Sequence, residues 1–248
     1  MENNYVKLQN NIDTLGLPMV KANLEKYIDF IQNGDKTLID ALYELTQLEM
    51  DLRKERAMNA CVKTANFPFL KTLDDFDFSF QPSINKEQIT NHRYLQFIQN
   101  SENLIFIGSP GVGKTHLATA IGIEAAKQRT STYFISCSNL ILQLKKAHLE
   151  NRLESRLKFF SKYKLLIIDE VGFLPLDSES ANLLFQLVAR RYEKNSTIVT
   201  TNKPLSKWAE TFGDPVITNA ILDRLLHHSQ IINIVGRSYR TKDIIEDE

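Results

Sequence analysis

The chain has 248 residues, 43% of them hydrophobic, which is enough for one large or two modest domains with a real core. Lysine plus arginine equals aspartate plus glutamate at 30 each, so total charge names no partner and its distribution has to be read instead. No apolar run approaches the roughly 18 residues of a membrane span, the polar opening Met1-Glu2-Asn3-Asn4 lacks the regions of a signal peptide, and Cys61 and Cys137 are too few for a disulfide framework or a zinc site, so a cytoplasmic protein with no membrane contact is expected.

Two amphipathic helices open the chain, from about Leu17 to Gln32, which Gly34 ends, and from about Lys36 to Ala65. In the second, Leu38, Leu42, Leu45, Leu48 and Leu52 recur at three- and four-residue spacing and predict one apolar stripe. Residues 1–66 therefore read as a small helical domain for partner or DNA contact. Its far end carries Arg53, Lys54, Arg56 and Lys63, interrupted by Asp51 and Glu55, the pattern of a solvated face more than of a nucleic-acid contact. Residues 67–90, with Pro68, Pro82 and the run Phe76-Asp77-Phe78-Ser79-Phe80, read as a linker. Those phenylalanines would anchor it to a core or border an adenine.

Residues 104–115 read Leu-Ile-Phe-Ile-Gly-Ser-Pro-Gly-Val-Gly-Lys-Thr, an apolar strand running into the phosphate loop G-x-x-x-x-G-K-[ST]. Its glycines let successive backbone N–H groups turn toward phosphates at the positive end of the following helix. The pattern arises by chance in roughly one chain of this length per hundred. The candidate ATP-binding residues are Gly108, Ser109, Pro110, Gly111, Val112, Gly113, Lys114, Thr115 and His116. Lys114 would reach the β- and γ-phosphates, and the Thr115 hydroxyl would ligate Mg²⁺.

From there, apolar runs at 104–107, 132–136, 165–168, 197–200 and 230–234 alternate with helical patterns, which predicts a parallel sheet covered by helices on both faces, residues 91–248 in all. Ligands bind such sheets at the strand ends. The third run ends in Asp169-Glu170, which assigns Asp169 to the metal and Glu170 to an attacking water. Between the second and third runs, positions 137–164 hold seven basic residues against two acidic ones. Lys145, Lys146, Arg152, Arg156 and Lys158 on the two helical stretches there are candidate contacts to DNA phosphates, which require no base readout.

These residues resemble AAA+ ATPases, specifically the branch holding the insertion-sequence ATP-binding protein IstB and the helicase loader DnaC. The resemblance covers most of the chain. It implies an AAA+ phosphate-loop core with a five-stranded parallel sheet, and it gives later segments roles. In Ile198-Val199-Thr200-Thr201-Asn202, Asn202 would be the sensor 1 asparagine that orients the hydrolytic water. In Ile221 to His228, Arg224 would be an arginine finger acting on a neighbouring subunit. In Ser238-Tyr239-Arg240, Arg240 would be sensor 2, with Arg237 as a second candidate. Only 14 residues follow the last strand, so no helical lid is expected, again as in this branch. The functional expectation is an ATP-hydrolysing, sequence-nonspecific binder of double-stranded DNA that forms an ATP-dependent homo-oligomer and assists a transposase. A DnaC-type helicase loader is the alternative, and a small-molecule kinase has no use for Asn202 with Arg224. His227-His228 is assigned no chemistry, because neighbours on a helix point in different directions. The acidic run 243–248 would repel DNA.

Overall fold

The computed structural model describes residues 3–242. They fall into two compact units that divide between residues 60 and 61.

The first unit holds α1 (Asn4–Thr14), α2 (Pro18–Gln32) and most of α3 (Leu38–Thr64). The Asn3 side chain caps α1 by accepting from Tyr5 N, and Pro18 starts α2 where its missing N–H costs nothing. The expected leucine stripe is only partly inward. Ala41 and Leu45 are buried against Tyr27 and Leu48 packs on them, whereas Leu38 and Leu42 are 60% and 53% exposed. The inward face of α3 is rotated toward Glu49, whose carboxylate is buried because it accepts from Met19 N at 2.9 Å in the first turn of α2. A hydrophobic count cannot see a helix face that includes a buried acid.

The second unit begins with α4 (Lys86–Asn91) and α5 (Gln96–Gln99). Then come β1 (Asn103–Gly108), α6 (Lys114–Lys127), β2 (Thr132–Ser136), α7 (Cys137–Leu149), α8 (Leu153–Ser161) and β3 (Leu165–Asp169). α9 (Ser178–Arg191), β4 (Ser196–Thr201), α10 (Trp208–Phe212), α11 (Pro215–Leu226) and β5 (Ser229–Ile234) complete it. All strand pairs are parallel, in the order β2-β3-β4-β1-β5. Among the described residues, only a 3-10 turn at Tyr239–Thr241 stands where a helical lid would be.

Strand periodicity divides the core into two faces. Leu104, Phe106, Ile167, Ile198 and Ile232 pack with Leu117 and Ile121 of α6, while Ile105, Leu166, Ile168 and Val199 pack with Leu140, Leu144, Leu187 and Trp208 from the opposite helices. The segment 67–90 is less of a linker than expected. Leu73, Phe76 and Ile84 belong to the α6-side core, Phe67 and Phe78 pack against it, and α4 already begins at Lys86. Phe76 is thus an anchor, as one of the two expectations had it.

Sheet order also decides where a site forms. β3, β4 and β1 are adjacent and in register, with Ile168 beside Val199 and Ile107 beside Thr201, so the loops after all three leave one edge together.

Candidate nucleotide-binding site

A cavity of about 510 Å³ opens at that edge, lined by the loop residues Pro110 to His116, by Glu170 after β3, by Thr200 in β4 and Asn202 just after it, and by Tyr239 and Arg240 of the tail. Its remaining wall comes from Phe173 and from the segment before the sheet, including Phe69, Phe76 and Gln81. Such a volume suits a nucleotide-sized ligand.

The loop turns through Gly111 and Gly113 at φ of +83° and +99°. A Cβ on Gly113 would sit 2.5 Å from the Phe76 ring, so the glycine permits both the backbone and the close approach of the aromatic wall. Lys114, the first residue of α6, folds its ammonium onto the carbonyls of Gly108 and Ser109, each at 2.8 Å. Burial lowers the Lys114 pKa from its ordinary value; Asp169 opposes that shift and Arg240 adds to it.

Asp169 ends β3 buried. It accepts from the Thr115 hydroxyl at 2.9 and 3.2 Å and from the Thr200 hydroxyl at 2.6 Å. Thr200 in turn accepts from Glu170 N at 2.9 Å. One threonine thus fixes both carboxylate residues, a role the sequence reading did not give it. Glu170 holds φ of +61°, uncommon for a residue with a side chain, and this turns its exposed carboxylate into the cavity rather than along the strand. Thr115 and Asp169 together present hydroxyl and carboxylate oxygens, the hard donor set that Mg²⁺ takes. Asn202 borders the same space with a buried Oδ1 that has no hydrogen-bond partner.

His116 faces the cavity but is held from behind. Its Nε2 donates to the Thr72 carbonyl at 2.9 Å, and its ring meets Phe76 and Phe69 edge-on at 5.3 and 6.1 Å. Burial lowers its pKa below the ordinary histidine value, which favours the neutral ring. Phe69 escaped the sequence reading; the aromatic run a few residues later was the stronger signal.

The segment after β5 is strapped across the loop. Tyr239 N donates to the Gly111 carbonyl at 3.0 Å, Gln81 Nε2 to the Arg237 carbonyl at 2.8 Å, and Val235 N to Ser83 Oγ at 3.1 Å, while Phe80 and Tyr239 meet edge-on at 5.1 Å. These contacts bring Arg240 to the cavity, and Arg237 is not among its lining residues. Arg224 is not brought there either. It lies on α11 with its guanidinium 4.8 Å over the Phe185 ring and a hydrogen bond to the Ala220 carbonyl.

The basic segment forms α7 and α8, but not a simple row. Lys145 is tied to Asp177 at 2.6 Å, which helps hold that carboxylate well below its usual range. Arg156 bonds Gln143 and stacks over Phe159 and Phe160 at 4.8 and 5.1 Å. Arg152 pairs with Glu150, and Lys146 and Lys158 are exposed. The acidic run 243–248 lies outside the described residues.

The family described as IstB-like ATP binding protein matches residues 10–246. The chain belongs to that family. Among IstB-like relatives, the ATP-binding protein assigned to insertion sequence IS232 of Bacillus thuringiensis subsp. berliner is 52% identical over 248 residues, all of this chain and 99% of that one. The corresponding protein of insertion sequence IS21 from Pseudomonas aeruginosa is 48% identical over 237 residues, 96% of this chain and 89% of that one. Among solved structures, a DnaC helicase loader matches with a TM-score of 0.55 and 26% identity, over 66% of this chain and 96% of that one. The IstB-like chain therefore has an AAA+ phosphate-loop core. Among its described residues no helix is long and apolar enough to cross a membrane.

Proposed function

We propose that this IstB-like protein hydrolyses ATP at the described cavity and uses the cycle to assemble as a homo-oligomer on double-stranded DNA and assist a transposase. The arrangement that carries the proposal is the Thr115–Asp169–Thr200–Glu170 chain beside Lys114. Lys114 exchanges its loop carbonyls for β- and γ-phosphate oxygens. Thr115 and Asp169 would hold Mg²⁺, which when bound offsets phosphate charge. Glu170 takes the proton of a water that Asn202 orients, and Arg240 neutralises charge on the γ-phosphate. Arg224 serves a neighbouring subunit, a reading supported by its not being among the lining residues of its own cavity.

Glu170→Gln is expected to keep ATP binding and lose turnover by roughly 10² to 10⁴, while Lys114→Ala loses binding itself. Loss of binding in Glu170→Gln with its fold intact would reject this division of roles. For Arg224→Ala the expected loss is roughly 10³ with ATP binding intact, and mixing it with Lys114→Ala restores part of the activity, since each subunit supplies what its neighbour lacks. No recovery in assemblies that demonstrably mix would place Arg224 outside catalysis.

For DNA, the exposed Lys146, Arg152 and Lys158 are the contacts proposed first, with Lys145 and Arg156 recruited when they leave their present partners. Replacing all five by alanine should weaken binding to every sequence alike and flatten the slope of log K against log salt by about 0.9 per lost contact. The likeness to a DnaC helicase loader favours a second reading, in which the basic face holds single strands and residues 1–66 a helicase. Assembly with ATP on matched single and double strands separates them: large complexes on duplex support the transposition reading, and preference for single strands supports the loader.

A further inference from the structure

At the edge of the sheet opposite the cavity, the exposed residues Glu193, His227 and His228 each offer one ligand atom, all within 4.8 Å of one another. Helical geometry would separate two adjacent histidines, but α11 ends at Leu226. His227 is its C-cap and His228 lies beyond, so their rings stand 4.0 Å apart and tilted by 49°. The Glu193 Oε1 is 3.6 Å from His227 Nδ1 and 3.7 Å from His228 Nε2. In a tetrahedral zinc site with ligand bonds of about 2.0 to 2.2 Å, neighbouring donor atoms stand about 3.3 to 3.6 Å apart.

The three residues are held from behind. Glu193 has φ of +56° in a turn whose Lys194 and Asn195 N–H groups both donate to the Arg191 carbonyl at 3.0 Å. The backbone of His228 is pinned where its carbonyl accepts from Asn103 N at 2.8 Å. Both α9 and α11 end here, so two helix C-termini direct their negative ends at the same place. One side chain competes: the Tyr192 hydroxyl bonds His227 Nδ1 at 2.7 Å and also the Glu193 carboxylate.

We propose that Glu193, His227 and His228 form a binding site for a zinc-class divalent transition ion, with the open position filled by water. Two imidazoles and one carboxylate select such an ion over Mg²⁺, which prefers an all-oxygen shell. Bound metal links the ends of α9 and α11, the helix that carries Arg224, at a point independent of the nucleotide cavity.

The test is calorimetric titration of the full chain with Zn²⁺ in the presence of Mg²⁺, repeated with Co²⁺, whose tetrahedral complexes absorb visible light far more strongly than the hydrated ion. One ion per chain is expected. His228→Ala and His227→Ala should each weaken binding at least tenfold, and Asp169→Ala, which removes the carboxylate that accepts from Thr115 and Thr200, should leave it unchanged. Tyr192→Phe releases His227 Nδ1 and should bind as tightly as wild type or several-fold tighter. Because all three ligands are exposed, their substitution leaves the thermal transition of the metal-free chain in place. Absence of stoichiometric Zn²⁺ binding, or binding that survives His228→Ala but not Asp169→Ala, would overturn the site without touching the ATPase reading.

Discussion

The two edges of the sheet use the same side chains to opposite ends. At the lower edge, where the strands begin, Arg191 is buried and donates to the carbonyls of Phe160, Tyr163 and Ser196 and to Thr197 Oγ1. Asn103 there bridges the Leu225 carbonyl at 3.0 Å and Thr197 N at 2.8 Å. At the upper edge, where the strands end, Arg240 is exposed into the cavity, Asn202 Oδ1 and Gln81 Oε1 are buried without partners, and Glu170 holds a strained backbone. A saturated polar group spends its hydrogen bonds on the fold. An unsaturated one keeps them for something else, at a cost to stability that the saturated edge offsets.

Exchanging the two arginines for methionine tests this most severely. Arg191→Met strands several buried carbonyls and should cost about 3 to 5 kcal/mol, lowering Tm by on the order of 10 °C in thermal denaturation. Arg240→Met should leave Tm within about 1 °C and slow ATP turnover on the order of 10². A stable Arg191→Met, or an Arg240→Met that unfolds, would dissolve the distinction between the edges.

The asparagines sharpen the same contrast at smaller scale. Asn103→Ala leaves Thr197 N–H and the Leu225 carbonyl buried and unpaired, an expected loss of about 2 to 4 kcal/mol by denaturant titration. Asn202→Ala removes an orphan and should be neutral or slightly stabilising, with slower turnover and intact ATP affinity.

How far this contrast was legible beforehand differs by edge. The upper edge follows from local strings: the phosphate loop needs its glycines in order, and an apolar run ending in Asp169-Glu170 marks a buried strand whose loop turns at a ligand. Strand assignment succeeded for a related reason at β1 and β3, which are buried and read as unbroken apolar runs, Leu104 to Ile107 and Leu165 to Ile168. β4 is equally buried but holds only Ile198 and Val199 between threonines, whose branched side chains suit a strand. The lower edge is nonlocal. Nothing adjacent to Arg191 says that two of the carbonyls it serves, those of Phe160 and Tyr163, lie about 30 residues upstream, and nothing near Asn103 points to Leu225. The same limit hid Thr200 as the link between Asp169 and Glu170, and Glu49 as part of the inward face of α3. For His227-His228 the helical-geometry argument does not apply as stated, because α11 ends at Leu226.

Lower-edge atoms that break the pattern include Asn195 Oδ1, Arg93 Nε and His92 Nε2, all buried without a partner. His92 packs edge-on against Phe97 at 5.5 Å, and burial lowers its pKa below the ordinary histidine value, with Glu102 pulling weakly the other way. The folded state therefore holds this ring neutral, while the unfolded chain protonates it near its ordinary pKa of about 6.5. Above that pH both states are neutral and nothing is lost. As pH falls through it, the unfolded chain binds the proton first and stability declines. His116, whose pKa is lowered in the same direction, contributes with the same sign, but its Nε2–H keeps the Thr72 carbonyl in either state. His92→Phe keeps the aromatic contact and removes the orphan nitrogen, so it should gain about 1 kcal/mol at neutral pH and flatten the decline between pH 7.5 and 5.5 more than His116→Phe does. Parallel stability profiles for wild type and His92→Phe over that range would mean that His92 finds a proton acceptor on folding, and the lower edge would then be saturated there as well.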